Sequence, residues 1–115
     1  MYRRYTKSKY GNIKTEVDGI KFDSKKEAIR YQELKLLKRA GEIEKLKLQP
    51  RYELQPKYRI NGRNVRNLEY KADFEYIDRK TGETITEDVK GMKTAVYKIK
   101  KKLFEYIYNR EIKEI

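Results

Sequence analysis

Tyr70-Lys71-Ala72-Asp73-Phe74-Glu75-Tyr76-Ile77, followed after a turn by Thr84-Ile85-Thr86-Glu87-Asp88-Val89-Lys90-Gly91, is the stretch whose reading decides the fold. Tyr70, Ala72, Phe74 and Tyr76 alternate with Lys71, Asp73 and Glu75, the period of a strand with one buried face. Asp78-Arg79-Lys80-Thr81-Gly82 is turn chemistry, so strands over Glu69–Ile77 and Thr84–Lys90 are expected to pair antiparallel. If Arg79–Gly82 forms a four-residue loop, Asp78 faces Glu83 and Asp73 falls opposite Asp88, their Cβ atoms about 5 Å apart. A slip of one residue would instead pair Asp73 with Val89 and divide the two carboxylates between faces. Along the second strand, Asp88 and Lys90 share one face while Glu87 and Val89 share the other.

Upstream, Val17-Asp18-Gly19-Ile20 reads as a hairpin turn within Ile13–Phe22. Ser24 with Glu27 three residues on makes a capping box, and Ala28, Tyr31, Leu34 and Leu37 recur at helical spacing up to a Gly41 cap. Short strand-like runs follow at Ile43–Gln49, Tyr52–Leu54 and Lys57–Ile60, and Asn61-Gly62 turns the chain into Arg63–Leu68. Downstream, Thr94 caps a last helix, for which Ala95, Ile99, Leu103, Tyr106 and Ile107 form the expected apolar face. The order of helix, strands and helix predicts one α+β domain over residues 12–115, a mixed sheet flanked by helices. Residues 1–11 precede it as a basic arm with no trustworthy period.

Composition bounds the chemistry. The 115 residues include 30 Lys+Arg against 18 Asp+Glu, a net charge of +12, with no cysteine, histidine or tryptophan. Leu, Ile, Val and Phe make up about 23%, just above the roughly 20% below which a highly charged chain is expected to be disordered, and eleven tyrosines add apolar area. Disulfides, thiolate nucleophiles, Cys-ligated zinc, imidazole bases and Ser-His-Asp triads are all excluded. What remains is carboxylate, Lys, Tyr and Ser/Thr chemistry, with an oxygen-seeking cation if there is a metal. No apolar run approaches the ~18 residues of a membrane span, so a cytoplasmic protein without a membrane partner is expected. The excess of positive charge points to a polyanion, most often nucleic acid.

Glu27 shares a helix face with Tyr31 and Leu34, the face expected to pack on the sheet. Glu27, Asp73, Asp88 and Lys90 could therefore meet around one point. Carboxylates holding Mg²⁺ beside a lysine suit phosphodiester hydrolysis, since the metal activates water and the lysine offsets charge on the phosphate. Plainer readings stand beside this one. Glu27 can serve the helix cap alone, and Asp73 and Asp88 can be surface carboxylates paired with Lys71 or Lys90.

In these residues the chain resembles the PD-(D/E)xK nuclease superfamily. Glu27 matches its helix acid, Asp73 its strand acid and Asp88-Val89-Lys90 its (D/E)xK triplet, although Ala72 stands where the motif usually has proline. Over Phe22–Tyr108, through FDSKKEA, QPRYEL, YKADFEY, EDVKG and YKIKKKLF, it is also similar to a family of small phage-encoded proteins of unknown function. These have been proposed to be Holliday junction resolvase-like endonucleases. The resemblance implies a Mg²⁺-dependent endodeoxyribonuclease, with Mn²⁺ as a substitute. Asp73, Asp88 and Glu27 would be its metal ligands, and Glu27, Asp73, Asp88 and Lys90 its catalytic set. It also implies branched DNA as substrate in phage recombination or replication, and the host cytoplasm as location. Two coordinated cuts in a junction would call for a homodimer.

Basic residues are placed to suit DNA. Arg3 and Arg4 lie in the arm among Tyr2, Tyr5 and Tyr10; Lys57, Arg59, Arg63 and Arg66 decorate the Asn61-Gly62 hairpin; Lys93, Lys98 and Lys101 follow the triplet. Such contacts give affinity without reading sequence. The arm can equally be a solvated tail, and the helix lysines a solvated face balanced by Glu105 and Glu111. The alternative function is a noncatalytic basic nucleic-acid-binding module.

Overall fold

Two turns with both central residues at positive φ set the local frame. Asp18 and Gly19 (φ 55° and 77°) and Asn61 and Gly62 (φ 49° and 72°) adopt the left-handed region that a two-residue hairpin requires. The computed structural model describes residues 4–7 and 13–115, with side chains from Lys14 onward. The chain is of the α+β class, with a mixed sheet and two helices. It divides into two compact units, one ending at Glu44 and the other spanning Lys45–Ile115.

In the first unit β1 (Arg4–Lys7), β2 (Ile13–Val17) and β3 (Ile20–Phe22) form an antiparallel sheet in that order. The basic arm thus contributes a strand, Arg4–Lys7, where the sequence showed no period; Arg3 and the side chain of Arg4 lie outside the described residues. Helix α1 (Lys25–Arg39) begins at Ser24, whose hydroxyl accepts from the Glu27 amide at 3.1 Å. It ends in a Schellman motif: Gly41 donates to Lys38 and Glu42 to Leu37, with Gly41 at φ 78°. Ala28, Tyr31 and Leu34 are buried as expected, together with Val17 and Phe22. The Phe22 and Tyr31 rings lie 5.1 Å apart.

The four-stranded sheet has the order β11 (Ile112–Glu114), β10 (Thr84–Asp88), β9 (Phe74–Asp78), β4 (Ile43–Leu48). β10 runs antiparallel to β9 and parallel to β11, so the sheet is mixed. β5 (Arg51–Gln55) pairs with β8 (Leu68–Lys71), and β6 (Tyr58–Ile60) pairs with β7 (Arg63–Val65). Helix α2 (Ala95–Tyr108) starts at Thr94, whose hydroxyl accepts from the Tyr97 amide at 3.1 Å. Tyr52, Leu54, Tyr70, Ala72, Tyr97, Phe104 and Ile112 form the core of the second unit.

Three local expectations are corrected. The run Glu69–Ile77 is two strands, β8 and β9, in different sheets, and Arg63–Leu68 likewise breaks after Val65. At the first break Ala72 donates to Pro50 and the Asp73 carbonyl accepts from Gln49, so backbone groups leaving one ladder are satisfied by the segment before β5. The apolar face of α2 differs in part, since of the expected residues Leu103 does pack against the core. Ile99 and Tyr106 are 60% and 87% exposed, while Tyr97 and Phe104 are buried. Both faces are apolar, but only the second stacks an aromatic cluster. Phe104 meets Tyr52 edge-on at 4.9 Å, Tyr70 at 5.7 Å and Tyr108 in a stack at 5.0 Å, burying far more area than aliphatic side chains would.

Candidate active site

The turn after β9 sets which carboxylates can meet. Asp78 donates to Glu83 and Gly82 donates to Asp78, closing the four-residue loop Arg79–Gly82. Ile77 then pairs with Thr84, Tyr76 with Ile85, Glu75 with Thr86 and Phe74 with Glu87, the register that directs Asp73 toward Asp88. The ladder stops one pair short. The Asp73 amide donates at 3.1 Å to the carbonyl of Glu87, the residue already paired with Phe74, so two residues face one as in a bulge. The Asp73 side chain completes the break, its Oδ2 accepting from the Val89 amide at 2.7 Å.

Asp73 and Asp88 nevertheless come near enough for each charge to act on the other. Burial, then the charge of Asp88, pushes Asp73 up to about 7, against the lowering by the Val89 amide and by Lys90. Asp88 is 2% exposed. Its Oδ2 accepts from the Tyr70 hydroxyl, and its Oδ1 lies 3.2 Å from Lys90 Nζ. Burial, then that carboxylate, raises Tyr70 well above the ordinary phenol range, keeping the hydroxyl a donor. Glu87, on the opposite face of β10, accepts from the Tyr76 hydroxyl.

A second layer holds the triplet. Lys90 Nζ sits 4.2 Å from the Tyr97 ring centroid, and the Tyr97 hydroxyl donates to Glu114 Oε2 at 2.6 Å. The Tyr97 hydroxyl, Lys93 at 3.0 Å and Lys101 at 3.5 Å hold Glu114 down at about 2. Ile115 donates to the Asp88 carbonyl and the Lys90 amide donates to Ile115, so the end of β11 grips both ends of Asp88-Val89-Lys90. Further along β10, Thr86 hydrogen-bonds Tyr52 at 2.9 Å and accepts from Arg110 at 3.2 Å.

Of the four expected site residues the structure gathers Asp73, Asp88 and Lys90. Glu27 belongs to the first unit, buried at the first turn of α1. Among the described residues no group of three or more acids is placed to hold a metal ion together. Lys57, Arg59, Arg63, Arg66 and Lys98 are exposed, whereas Lys93 and Lys101 pair with Glu114 rather than with the Glu105 or Glu111 of the solvated-face reading. Sequence reasoning missed Tyr70, Tyr97 and Glu114. The available signal was the count of eleven tyrosines without one tryptophan: a phenol packs like an aromatic core residue yet carries a donor for a buried carboxylate.

Two neighbouring carboxylates, each already held by a neutral or cationic donor, suit Mg²⁺, which takes one or two protein carboxylates and completes its shell with waters and substrate phosphate. Asp73 and Asp88 would hold such an ion, and a cation there would offset both the burial and the like charge that raise Asp73. Fold and site together define an α+β protein with a partly buried two-carboxylate–lysine centre. The chain belongs to the family described as a protein of unknown function, DUF1064, whose model matches residues 7–114. No curated protein and no solved structure matches it. Among the described residues no helix is long and apolar enough to cross a membrane.

Proposed function

We propose that this protein is a metal-dependent DNA endonuclease of the PD-(D/E)xK type acting on branched DNA such as Holliday junctions. The observation that carries the reading is the gathering of Asp73, Asp88 and Lys90 around one triplet: Asp73 accepts from the Val89 amide at 2.7 Å, and Lys90 Nζ lies 3.2 Å from Asp88 Oδ1. Bound Mg²⁺, or Mn²⁺ in its place, would supply an activated water and neutralise charge on the scissile phosphate. Asp73 and Asp88 orient the site through fixed oxygens, since Val89, Tyr70 and Lys90 each hold one of them. Lys90, steadied over the Tyr97 ring, presents a cation where negative charge develops on the phosphate. On the sequence resemblance alone, Glu27 is the third acid. The exposed basic residues of the β6–β7 hairpin supply phosphate contacts. Action as a homodimer during phage recombination in the host cytoplasm belongs to the same reading.

The test is a panel of labelled DNAs (duplex, single strand, flap, four-way junction) incubated with and without Mg²⁺. Metal-dependent cleavage, strongest on the junction, is expected. Binding with no cleavage under any metal would leave a noncatalytic basic nucleic-acid-binding module.

A further inference from the structure

β6 and β7 form a two-stranded sheet of their own, joined through the Asn61-Gly62 turn. Such a ribbon is marginally stable alone. Residues 57–67 carry two exposed apolar side chains, Tyr58 and Ile60, four basic residues and no acid. The pairs Tyr58↔Val65, Arg59↔Asn64 and Ile60↔Arg63 sort the side chains by face. Tyr58, Ile60, Val65 and Arg63 share one face. Arg59 stands directly across from Asn64 on the other, and Lys57 and Arg66 lie just beyond the strand ends, together at the open end of the ribbon. The same residues line a recess of about 460 Å³ with Tyr58 and Val65.

Among the described residues, Lys57, Arg59 and Arg66 make no ion pair and Asn64 makes no side-chain hydrogen bond, unlike Lys93 and Lys101. Their donors are free. Two strands about 4.8 Å apart fit a major groove about 12 Å wide, the groove that admits a β-ribbon. There Arg takes the O6/N7 edge of guanine and Asn the N6/N7 edge of adenine, each through two hydrogen bonds. The Cβ atoms of an opposed pair lie about 5 Å apart, near enough to address neighbouring base pairs.

We infer that the β6–β7 ribbon reads base identity in the major groove of duplex DNA, with Arg59 and Asn64 on base edges and Lys57 and Arg66 on flanking phosphates. This rests on the DNA-directed reading above and adds to it a sequence preference, for G and A at adjacent positions, separate from branch geometry.

The test is selection of bound duplexes from a random pool in metal-free buffer, so that cleavage plays no part. The intact protein should enrich a G/A-containing motif. Arg59→Lys, which keeps the charge but loses the guanidinium fork, and Asn64→Ala should each raise Kd for the selected site roughly 5- to 150-fold, leaving a scrambled duplex nearly unaffected. Arg66→Ala, at a flanking phosphate, should weaken both duplexes alike and reduce the salt slope by about 1. Binding without enrichment, or a motif that survives both Arg59→Lys and Asn64→Ala, overturns the inference and leaves the endonuclease reading standing. Failure of the intact protein to bind any DNA overturns both.

Discussion

The Tyr70 hydroxyl donates to Oδ2 of Asp88, and the two residues lie on strands of different sheets, β8 and β10. The same tyrosine stacks on Tyr52 at 6.1 Å and meets Phe104 at 5.7 Å, so one side chain belongs both to the aromatic core and to the acid pair. Packing of α2 on that core therefore bears on where the Asp88 oxygens point.

Tyr70→Phe keeps the ring and removes the donor. One buried Asp88 oxygen loses its partner, which should destabilise the fold by about 1–3 kcal/mol. Urea unfolding at pH 7 measures this directly, and an unchanged midpoint would show that the hydrogen bond contributes nothing net.

Asp88→Asn should abolish cleavage while DNA binding survives or tightens, because a metal ligand and a negative charge near phosphate are both removed. Lys90→Ala should lower turnover by roughly 10²–10³, the cost typical of losing one electrostatic donor to a developing oxyanion. Its effect on metal affinity should be smaller. Single-turnover kinetics on a four-way junction decide both, and normal turnover by either variant would remove the site assignment.

The two faces of α2 give opposite expectations for core truncation. Phe104→Ala should cost about 3–5 kcal/mol, since Phe104 is fully buried among aromatic rings. Ile99→Ala, at a largely exposed position, should stay within about 0.5 kcal/mol. Equal losses in denaturant melts would mean that the Ile99 face is covered.

Glu114, held down at about 2, links the fold to pH. Its folded value lies below its ordinary value of 4.5, so its contribution is fully present above about 4.5. That contribution is lost as pH falls from there through about 2. Thermal melts across this range should show the intact protein losing more stability than Glu114→Gln. Parallel curves would show that the ties to Tyr97, Lys93 and Lys101 are energetically silent.

What was legible in the sequence was local. Ser24 and Thr94 cap their helices, Gly41 closes α1, and Asp18-Gly19 and Asn61-Gly62 turn their hairpins, because each depends on backbone preferences within four or five residues. The register of β9 with β10 was legible only as one of two: a four-residue loop leaves one pairing in phase, a one-residue slip stayed open, and the Asp78–Glu83 bond selects the first. That register already directed Asp73 toward Asp88 and set Lys90 on the face of Asp88.

Tertiary structure decided what local preferences leave degenerate. Alternation made Glu69–Ile77 look continuous, because the break at Ala72–Asp73 is held by Pro50 and Gln49, distant in the chain, as well as by Glu87 across the β9–β10 turn. Helix α2 has two apolar faces of similar period, and the aromatic surface offered by Tyr52 and Tyr70 chose Phe104 over Ile99. Tyr70, Tyr97 and Glu114 became part of the site only when strands and helix were assembled, since a phenol donor shows its purpose only once a carboxylate is buried within its reach. The sequence by itself thus determined the α+β class, the turns and the acid–lysine pattern through short-range backbone and periodicity rules. Which side chains hold those acids was settled by long-range packing, where burying aromatic area and satisfying each buried oxygen had to be met together.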